Sequence, residues 1–291
     1  MSIILEAVDY IYQLGSVHET NALKGINLVI KEGEFVGLIG HTGSGKSTLV
    51  QHINGLIKPT KGKVIVDDQE VSAKRGKLKE IRQKVGLVFQ YPEHQLFEET
   101  VFEDIAFGPK NLGLAATEIE KRVKKALQMV HLDYEKYRTL SPFTLSGGEK
   151  RRVAIAGVLA MDPKYLILDE PTAGLDPRGR DEILAQIAEL HQQGMTVILV
   201  SHSMDDVARL TKRLLVMHQG EIIYDQETRQ VFSYYEKLQE MGLDIPTVTK
   251  LMHSLKGQGW SVRQDVLTVE EAKREILQAM KQAVKEEQSH A

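Results

Sequence analysis

The sequence contains no cysteine and a single tryptophan among its 291 residues, and aromatic residues make up 6% of the chain. The absence of cysteine excludes disulfide bonds, thiol catalysis and cysteine-ligated zinc. There is no basic excess either, because 37 lysines and arginines face 40 aspartates and glutamates. Bulk charge therefore gives no support to nucleic-acid binding, and the remaining composition is that of an ordinary globular protein.

Long apolar runs are missing as well. The longest, YLILD and TVILVS, have the length of strands and fall far short of the ~20 residues that cross a bilayer. Residues 1–15 lack a basic segment, a long apolar segment and a cleavage site of small residues, and they favour a strand over a secretory signal. Any role at a membrane is therefore expected to be peripheral.

Strand-like and helix-like segments alternate along most of the chain. Paired strands are predicted for residues 1–40, a helix for 178–193, and buried strands for YLILD and TVILVS. This alternation predicts an α/β fold whose parallel sheet carries helices on both faces, next to an N-terminal antiparallel β region.

The middle of the chain departs from this alternation. Residues 92–160 are predicted to be mostly helical and to be inserted into the α/β core as a helical subdomain. Within them, the segment 117–131 repeats apolar residues at helical spacing, namely Ile119, Val123, Ala126, Leu127 and Val130.

Beyond Tyr224 the sequence changes to helical patterns with one glycine-rich break. The last helix opens with a capping-box pattern formed by Thr268 and Glu271. We therefore predict a main domain at residues 1–224 and a small, mostly helical domain at residues 225–291. One face of the last helix is apolar and favours a part in subunit association, the alternative being that it packs only on its own domain. Its members are Val269, Ala272, Ile276, Leu277, Met280, Ala283 and Val284.

Residues 40–48, GHTGSGKST, match the phosphate-loop pattern G-x-x-x-x-G-K-[ST] between a predicted strand and a predicted helix. Glycines let backbone amides approach an oxyanion, and the helix N-terminus directs free N–H groups at phosphate. Lys46 is expected at the β- and γ-phosphates and Ser47 on Mg²⁺. A glycine-rich turn that merely starts a helix is disfavoured by this context. The candidate nucleotide-binding residues are Gly40, His41, Thr42, Gly43, Ser44, Gly45, Lys46, Ser47 and Thr48.

Polar side chains follow three of the predicted strands. Asp169 ends YLILD at the sheet edge where ligands bind, so it is predicted to hold Mg²⁺. Glu170 is predicted to accept a proton from the attacking water. Gln90 is predicted to orient water or ligate Mg²⁺, and His202 to contact the γ-phosphate. The alternatives are a turn cap at Pro171 for the acidic pair and solvated loop positions for Gln90 and His202, and the phosphate loop makes these less favoured.

These segments together resemble the ATP-binding cassette of ABC transporters. The resemblance rests on GHTGSGKST, Gln90, LSGGEKRR at 145–152, YLILDEPTAGLDP and Ser201-His202, in this order over about residues 3–224. It implies a P-loop NTPase core, ATP and Mg²⁺ as the ligands, and a dimer in which ATP lies between two subunits.

The resemblance also implies roles for residues outside the phosphate loop. Ser146, Gly147 and Gly148 would contact the γ-phosphate bound by the opposite subunit, and their helix N-terminus is expected to have no other anion nearby. Asp176 would lie at the dimer interface and link the two sites. Tyr12 would stack on adenine, although its alternation with Val8 and Tyr10 also allows it to face the core.

Residues 89–113, FQYPEHQLFEETVFEDIAFGPKNLG, narrow the resemblance. They are similar to the ATPases of energy-coupling-factor transporters, which import vitamins and transition-metal ions, and in particular to the A-prime member of the pair. This implies a heterodimer with a related ATPase, with a transmembrane coupling subunit and a substrate-binding membrane subunit as further partners, and it implies that this chain lies peripherally at the cytoplasmic face of the cell membrane. Glu98 and Glu99 are candidate contacts for a membrane subunit or a solvated acidic turn.

Two other functions compete with this interpretation. A soluble ABC ATPase of DNA maintenance or translation usually carries a coiled coil inside the cassette or two cassettes in one chain, and neither heptads nor a second phosphate loop is present. A regulatory module that binds nucleotide without hydrolysis is disfavoured, because Glu170 and His202 are both in place. No motif indicates the transported compound.

Overall fold

The computed structural model describes residues 1–71 and 75–289. The strands are β1 (Ser2–Tyr12), β2 (Thr20–Lys31), β3 (Phe35–Gly40), β4 (Lys61–Val66), β5 (Gln69–Glu70), β6 (Val85–Val88), β7 (Tyr165–Asp169), β8 (Thr196–Val200), β9 (Arg213–His218) and β10 (Glu221–Glu227). The helices are α1 (Lys46–Asn54), α2 (Arg75–Lys84), α3 (Val101–Leu112), α4 (Ala116–Met129), α5 (Tyr134–Tyr137), α6 (Gly147–Leu159), α7 (Pro177–Gln192), α8 (Met204–Leu210), α9 (Thr228–Phe232), α10 (Tyr235–Glu240), α11 (Thr247–Gly257) and α12 (Val269–Ser289). Single 3₁₀ turns lie at Pro92–Gln95 and Pro142–Thr144.

The central sheet has the order β10-β9-β3-β8-β7-β6 in the described part of the chain. All its neighbouring strands are parallel except β9 and β10. Every residue of β3, β6 and β8 is buried, as expected for a sheet covered on both faces. The predicted α/β fold is confirmed. Because the strands are parallel, the C-terminal ends of β3 and β7 meet at one edge, where they place Gly40 and Asp169.

A second, antiparallel sheet has the order β2-β1-β4-β5. Burial alternates along the second half of β2, so one face packs on the core and the other meets solvent. The apolar face packs with α1 and one face of the central sheet in a common cluster. The hairpin of β1 and β2 therefore ends beside the helix that follows the phosphate loop.

Helices fill the predicted inserted stretch. The predicted apolar face of α4, from Ile119 to Val130, is buried. It packs with Val153 and Ala156 of α6 in the same cluster as the β7 residues Leu166 and Leu168. The boundaries 92 and 160 themselves remain a prediction.

The C-terminal helices pack in two groups. α9 and α10 contribute to a cluster with the β-strand residues Ile39 and Val216, so they lie directly on the main sheet. α11 and α12 form a smaller cluster around Met252 and Ala272. β10 ends at Glu227, beyond the predicted boundary at Tyr224, and the division into domains remains a prediction.

Two details of the sequence interpretation are changed by the structure. β6 ends at Val88, so Gln90 lies in the loop beyond the strand. Thr268 caps α12 by accepting from the Glu271 amide at 3.2 Å, but the Glu271 carboxylate accepts from the Leu267 amide at 3.0 Å rather than from Thr268. The same carboxylate pairs with Arg229, which draws it away from the reciprocal capping position.

The predicted apolar face of α12 is only partly used inside the chain. Ala272 is buried and Ile276 packs on the small cluster. Val269, Leu277 and Met280 are exposed. The predicted members Ala283 and Val284 lie outside the residues whose side chains are described.

We predict that Tyr165→Phe lowers the free energy of unfolding by about 1.5–3 kcal/mol, because a hydrogen bond to a carboxylate is lost from a buried position. The Tyr165 hydroxyl donates to Asp67 at 2.6 Å and ties the start of β7 to the turn after β4. Urea unfolding measures the change. Tyr234→Phe is the control, because within residues 1–71 and 75–289 that hydroxyl accepts a hydrogen bond only from the exposed Gln230 side-chain amide, and equal losses in the two variants would contradict the prediction.

Candidate nucleotide-binding site

A cavity of about 490 Å³ opens at the C-terminal edge of the central sheet. Six separate segments of the chain meet around it. Its lining residues are Tyr12, Thr20, Asn21, Ala22, Thr42, Gly43, Gly45, Lys46, Ser47, Thr48, Gln90, Asp169, Glu170 and His202. The predicted residues of the phosphate loop, the acidic pair, Gln90, His202 and Tyr12 are thus brought together.

At two glycines of the phosphate loop, the neighbouring backbone lies too close to leave room for a side chain. A Cβ on Gly45, whose φ is +103°, would lie 2.5 Å from the Ala22 carbonyl oxygen. A Cβ on Gly40 would lie 2.4 Å from the Met217 carbonyl oxygen. Gly45 is the N-cap of α1 and no side chain caps this helix. The first amides of α1 are therefore available to an anion in the cavity.

Lys46 is buried at the floor of the cavity. Its Nζ donates to the carbonyl oxygens of Gly40 at 2.6 Å and His41 at 3.0 Å. Burial lowers the pKa of Lys46, and the nearby carboxylates of Glu170 and Asp169 oppose this shift. The phosphate loop thus concentrates one positive charge at the point where its amides converge.

Asp169 and Ser47 lie side by side on neighbouring elements. The Ser47 hydroxyl donates to Oδ2 of Asp169 at 3.2 Å. Burial raises the pKa of Asp169, while this hydrogen bond and Lys46 act in the opposite direction. The hydroxyl, the carboxylate and the Gln90 amide line one cavity, and such oxygen donors fit Mg²⁺.

Glu170 follows β7 in a left-handed backbone conformation, with φ at +51°. Its amide donates to the Val200 carbonyl at 3.0 Å, which fixes the residue against β8. Burial, followed by the charge of Asp169, raises the pKa of Glu170 to about 7. Non-glycine residues in this conformation store strain, and such strain clusters at active sites.

His202 lies across the cavity from Glu170. Its Nε2 is 3.5 Å from Oε1 of Glu170, and this buried oxygen accepts no hydrogen bond from the described residues. Burial, followed by the positive charge of Lys46, lowers the pKa of His202. Both shifts favour the uncharged forms, and Glu170, with a pKa of about 7, is divided between its protonated and ionised forms near pH 7.

Tyr12 lines the cavity and is 39% exposed, so the interpretation that it faces the core is wrong. Register shifts on both sides of Tyr10 interrupt the alternation along β1. Tyr10 packs on the core instead, and its ring meets Tyr12 edge-on at 4.8 Å. The Tyr12 hydroxyl lies 3.2 Å from that of Thr48. Stacking on adenine remains a prediction.

Ser146, Gly147 and Gly148, called the signature below, lie outside this cavity at the N-terminus of α6. Ser146 is the N-cap and forms a complete capping box with Glu149. Oε2 of Glu149 accepts from the Ser146 amide at 2.9 Å and from its hydroxyl at 2.7 Å. The expectation that only phosphate could serve this helix end is therefore wrong. Hydrogen bonds from Tyr137 and Ser146 lower the pKa of Glu149 to about 2, so the box holds a carboxylate.

The capping box serves the amides of Ser146 and Glu149 and does not include those of Gly147 and Gly148, which are among the first amides of the helix and have no intrahelical acceptor. Asp176 also lies outside the cavity lining. It caps α7 by accepting a hydrogen bond from the Gly179 amide at 2.7 Å.

Three predicted nucleotide-binding residues of the phosphate loop do not line the cavity either, namely Gly40, His41 and Ser44.

Sequence reasoning missed Thr20, Asn21 and Ala22, which line the cavity on the side of Tyr12. Thr20 pairs directly with Tyr12 across the hairpin. The predicted pairing of the first strands, with the correct register, would have indicated this position.

Comparison with known proteins identifies the family to which the chain belongs. A protein-family model described as ABC transporter matches residues 23–173. A relative from Clostridium tetani, named energy-coupling factor transporter ATP-binding protein EcfA2, is 60% identical over 278 residues, which cover 95% of this chain and 96% of the relative. The chain belongs to the ABC transporter ATPases. A relative of the same name from Enterococcus faecalis is 48% identical over 97% of this chain and 99% of its own length.

Solved structures agree with this assignment. The cbiO1 protein of Clostridium perfringens, described as part of the ABC transporter complex cbiONQ, matches with a TM-score of 0.73 and 40% identity over 86% of this chain and 98% of its own. The ATP-binding cassette MJ0796, in a dimeric post-hydrolysis state bound to ADP and Pi, matches with a TM-score of 0.69 and 33% identity over 78% of this chain and 98% of its own.

These findings confirm the predicted cassette, its ATPase character and its likeness to the A-prime ATPases of energy-coupling-factor transporters. The relatives named here give no support to a soluble ATPase of DNA maintenance or translation. The roles of the individual site residues remain predictions.

We predict that Lys46→Ala weakens ATP binding by this chain by about 2 kcal/mol, or roughly 30-fold, because a charge-assisted contact to phosphate is lost. Calorimetric titration of the isolated chain with ATP and Mg²⁺ measures the affinity. Lys24→Ala is the control, because Lys24 is half-buried on β2 and does not line the cavity. Unchanged affinity in Lys46→Ala would place the lysine away from the phosphates.

We predict that Glu170→Gln keeps ATP binding and lowers the ATP hydrolysis rate by about 10²- to 10⁴-fold, because the proton acceptor is removed and the shape is kept. Steady-state hydrolysis by the purified complex and ATP titration of the isolated chain give the two readouts. A turnover near that of the unchanged protein would exclude Glu170 as the general base.

Proposed function

We propose that this chain is one of two paired ATPase subunits that power an importer of the energy-coupling-factor type, at the cytoplasmic face of the cell membrane. The observation that carries the proposal is the split of the predicted site residues into two places. Lys46, Asp169 and Glu170 line one cavity, whereas Ser146 and Gly148 lie outside it on α6. A site divided in this way needs a second chain to complete it.

The residues of the cavity suit the hydrolysis of a phosphoanhydride. Lys46 and the first amides of α1 would bind the phosphates and hold the terminal phosphoryl group in position. Glu170, whose pKa of about 7 lies near the working pH, would take a proton from the attacking water. His202 would contact the γ-phosphate beside it, and Gln90 would orient the water.

Ser47, Asp169 and Gln90 are the residues that would hold Mg²⁺. When bound, this ion neutralises charge that develops on the phosphate oxygens during transfer. The Ser47 hydroxyl and the Asp169 carboxylate already lie within 3.2 Å of each other, which supports this assignment.

The amides of Gly147 and Gly148, which the capping box does not use, would contact the γ-phosphate in the partner ATPase. The capping box fixes the first turn of α6, so these amides are held in one orientation. Asp176 at the start of α7 would link the two sites across the interface. In this arrangement, ATP binding closes the pair of ATPases and hydrolysis reopens it.

The second ATPase is proposed to be a related chain, and the membrane partners to be a coupling subunit and a substrate-binding subunit. The similarity to cbiO1, which is part of a transporter complex with other components, supports this composition. Among the described residues, no helix is both long and apolar enough to cross a membrane. Glu98 and Glu99 are proposed contacts of a membrane subunit. The exposed Val269, Leu277 and Met280 on α12 support a part for this helix in subunit association.

We predict that Ser146→Arg leaves the ATP affinity of the isolated chain unchanged and lowers hydrolysis by the complex at least about 10²-fold, because bulk at the helix N-terminus blocks the approach to the partner's phosphate. Calorimetric titration of the isolated chain and ATPase assays on the complex measure the two effects.

Ser146→Ala is the matched control, because it also removes the cap, at a cost of about 1 kcal/mol, without adding bulk. Both variants should therefore melt at similar temperatures. Loss of ATP binding by a folded, isolated Ser146→Arg chain would show that the signature acts within its own subunit and would contradict the divided site.

A further inference from the structure

Arg151 follows the signature by one turn of α6 and is almost completely buried, with 1% of its side chain exposed. Its guanidinium makes two hydrogen bonds to the carboxylate of Glu93, from Nε at 3.0 Å and from Nη2 at 2.6 Å. Its Nη1 donates to the carbonyl oxygens of Pro171 at 2.9 Å and Ala173 at 2.8 Å. The rigid planar fork of arginine thus satisfies three acceptor groups at once.

The acceptors belong to two loops that carry predicted site residues. Glu93 is three residues beyond Gln90, in the 3₁₀ turn that follows β6. Pro171 is the residue directly after Glu170, and its loop turns back through the hydrogen bond from the Ala173 amide to the Glu170 carbonyl. One side chain therefore connects the Gln90 loop, the Glu170 loop and the helix that presents the signature.

The pKa of Glu93 reflects its close pairing with Arg151. Burial by itself would raise the pKa of Glu93, but the hydrogen bonds and the charge of Arg151, together with a backbone hydrogen bond and His94, outweigh it and the pKa is lowered. A side chain that only stabilised the fold would need to contact one of the two loops, whereas the Arg151 guanidinium contacts both. Since buried ion pairs contribute little net stability compared with apolar packing, the value of this arrangement lies in the positions that it fixes.

We propose that Arg151 is a positioning residue for ATP hydrolysis, which holds Glu170 and Gln90 in register with the signature of its own subunit. This rests on the proposed function of the cavity. Closure against the partner acts first on the signature end of α6, and the guanidinium carries that displacement to the two loops. Hydrolysis in the cavity of this chain is thereby coupled to engagement of its signature in the opposite site.

The test compares Arg151→Lys, Arg151→Gln and Glu93→Gln in the complex with its partner subunits. Lysine keeps the charge but cannot bridge both loops. We expect kcat to fall about 10- to 100-fold in the Arg151 variants, since small displacements of reacting groups have such effects, with KM and the ATP affinity of the isolated chain unchanged. Glu93→Gln releases only the Gln90 loop and should reduce kcat less. The double variant should be no slower than Arg151→Gln alone, because the two residues act as one unit.

Arg152→Lys is the matched control. This arginine is the next residue of α6 and pairs with Glu182 of α7 at 2.9 Å, so it tests a neighbouring ion pair that does not touch either loop. Melting temperatures are recorded for every variant. If the Arg151 variants do not fold, Glu93→Gln, which is nearly isosteric, still decides the question by its split between kcat and KM.

Unchanged kcat in folded Arg151→Lys and Glu93→Gln would overturn the positioning role, as would an equal loss of kcat in Arg152→Lys. Glu170→Gln in the same complex separates this failure from failure of the proposed function. If Glu170→Gln retains turnover, the cavity assignment is wrong and the positioning role falls with it. If Glu170→Gln is inactive and the Arg151 variants hydrolyse ATP normally, only the positioning role is wrong.

Discussion

The site depends on keeping three ionisable side chains partly out of water at one edge of the central sheet. Burial is the leading influence on the pKa of Lys46, Asp169 and Glu170, and the attraction between Lys46 and the two carboxylates only partly offsets it. Such an arrangement persists only on a rigid support. The support is supplied by β3 and β7, whose apolar residues are buried and whose neighbours on both sides are parallel strands.

Contiguous motifs made most of the candidate site predictable. The segment from Gly40 to Thr48 and the pair Asp169-Glu170 carry their context with them, because a strand and a helix flank each one in sequence. Arg151 was not predictable as a connector, since its partners lie far away in the chain and only the packing of α6 brings them together. The Tyr12 position was ambiguous for a related reason, because a strand irregularity near Tyr10 is decided by tertiary contacts.

The helix α6 combines a cap from within the chain with residues that we propose to act in the opposite subunit. Glu149 stabilises the first turn of α6 from within the chain, and a lowered pKa keeps its carboxylate charged. The sequence LSGG indicates a helix start and an anion site, but Glu149 three residues after Ser146 is also the standard capping-box spacing. Both interpretations are needed, because the cap orders the amides that remain free.

The strand order has a consequence for how the chain is made. Phe35 in β3 pairs with Val197 in β8, and Gly40 pairs with Met217 in β9, so the strand that carries the phosphate loop has no neighbours in its own sheet until residues far downstream have been synthesised. Contacts of such sequence separation form slowly, and an unpaired apolar strand is prone to aggregation. The hairpin of β1 and β2 pairs residues that are close in sequence, so it can form early. It packs against α1, and it can therefore cover the apolar side of the helix that follows the phosphate loop before the downstream strands are synthesised.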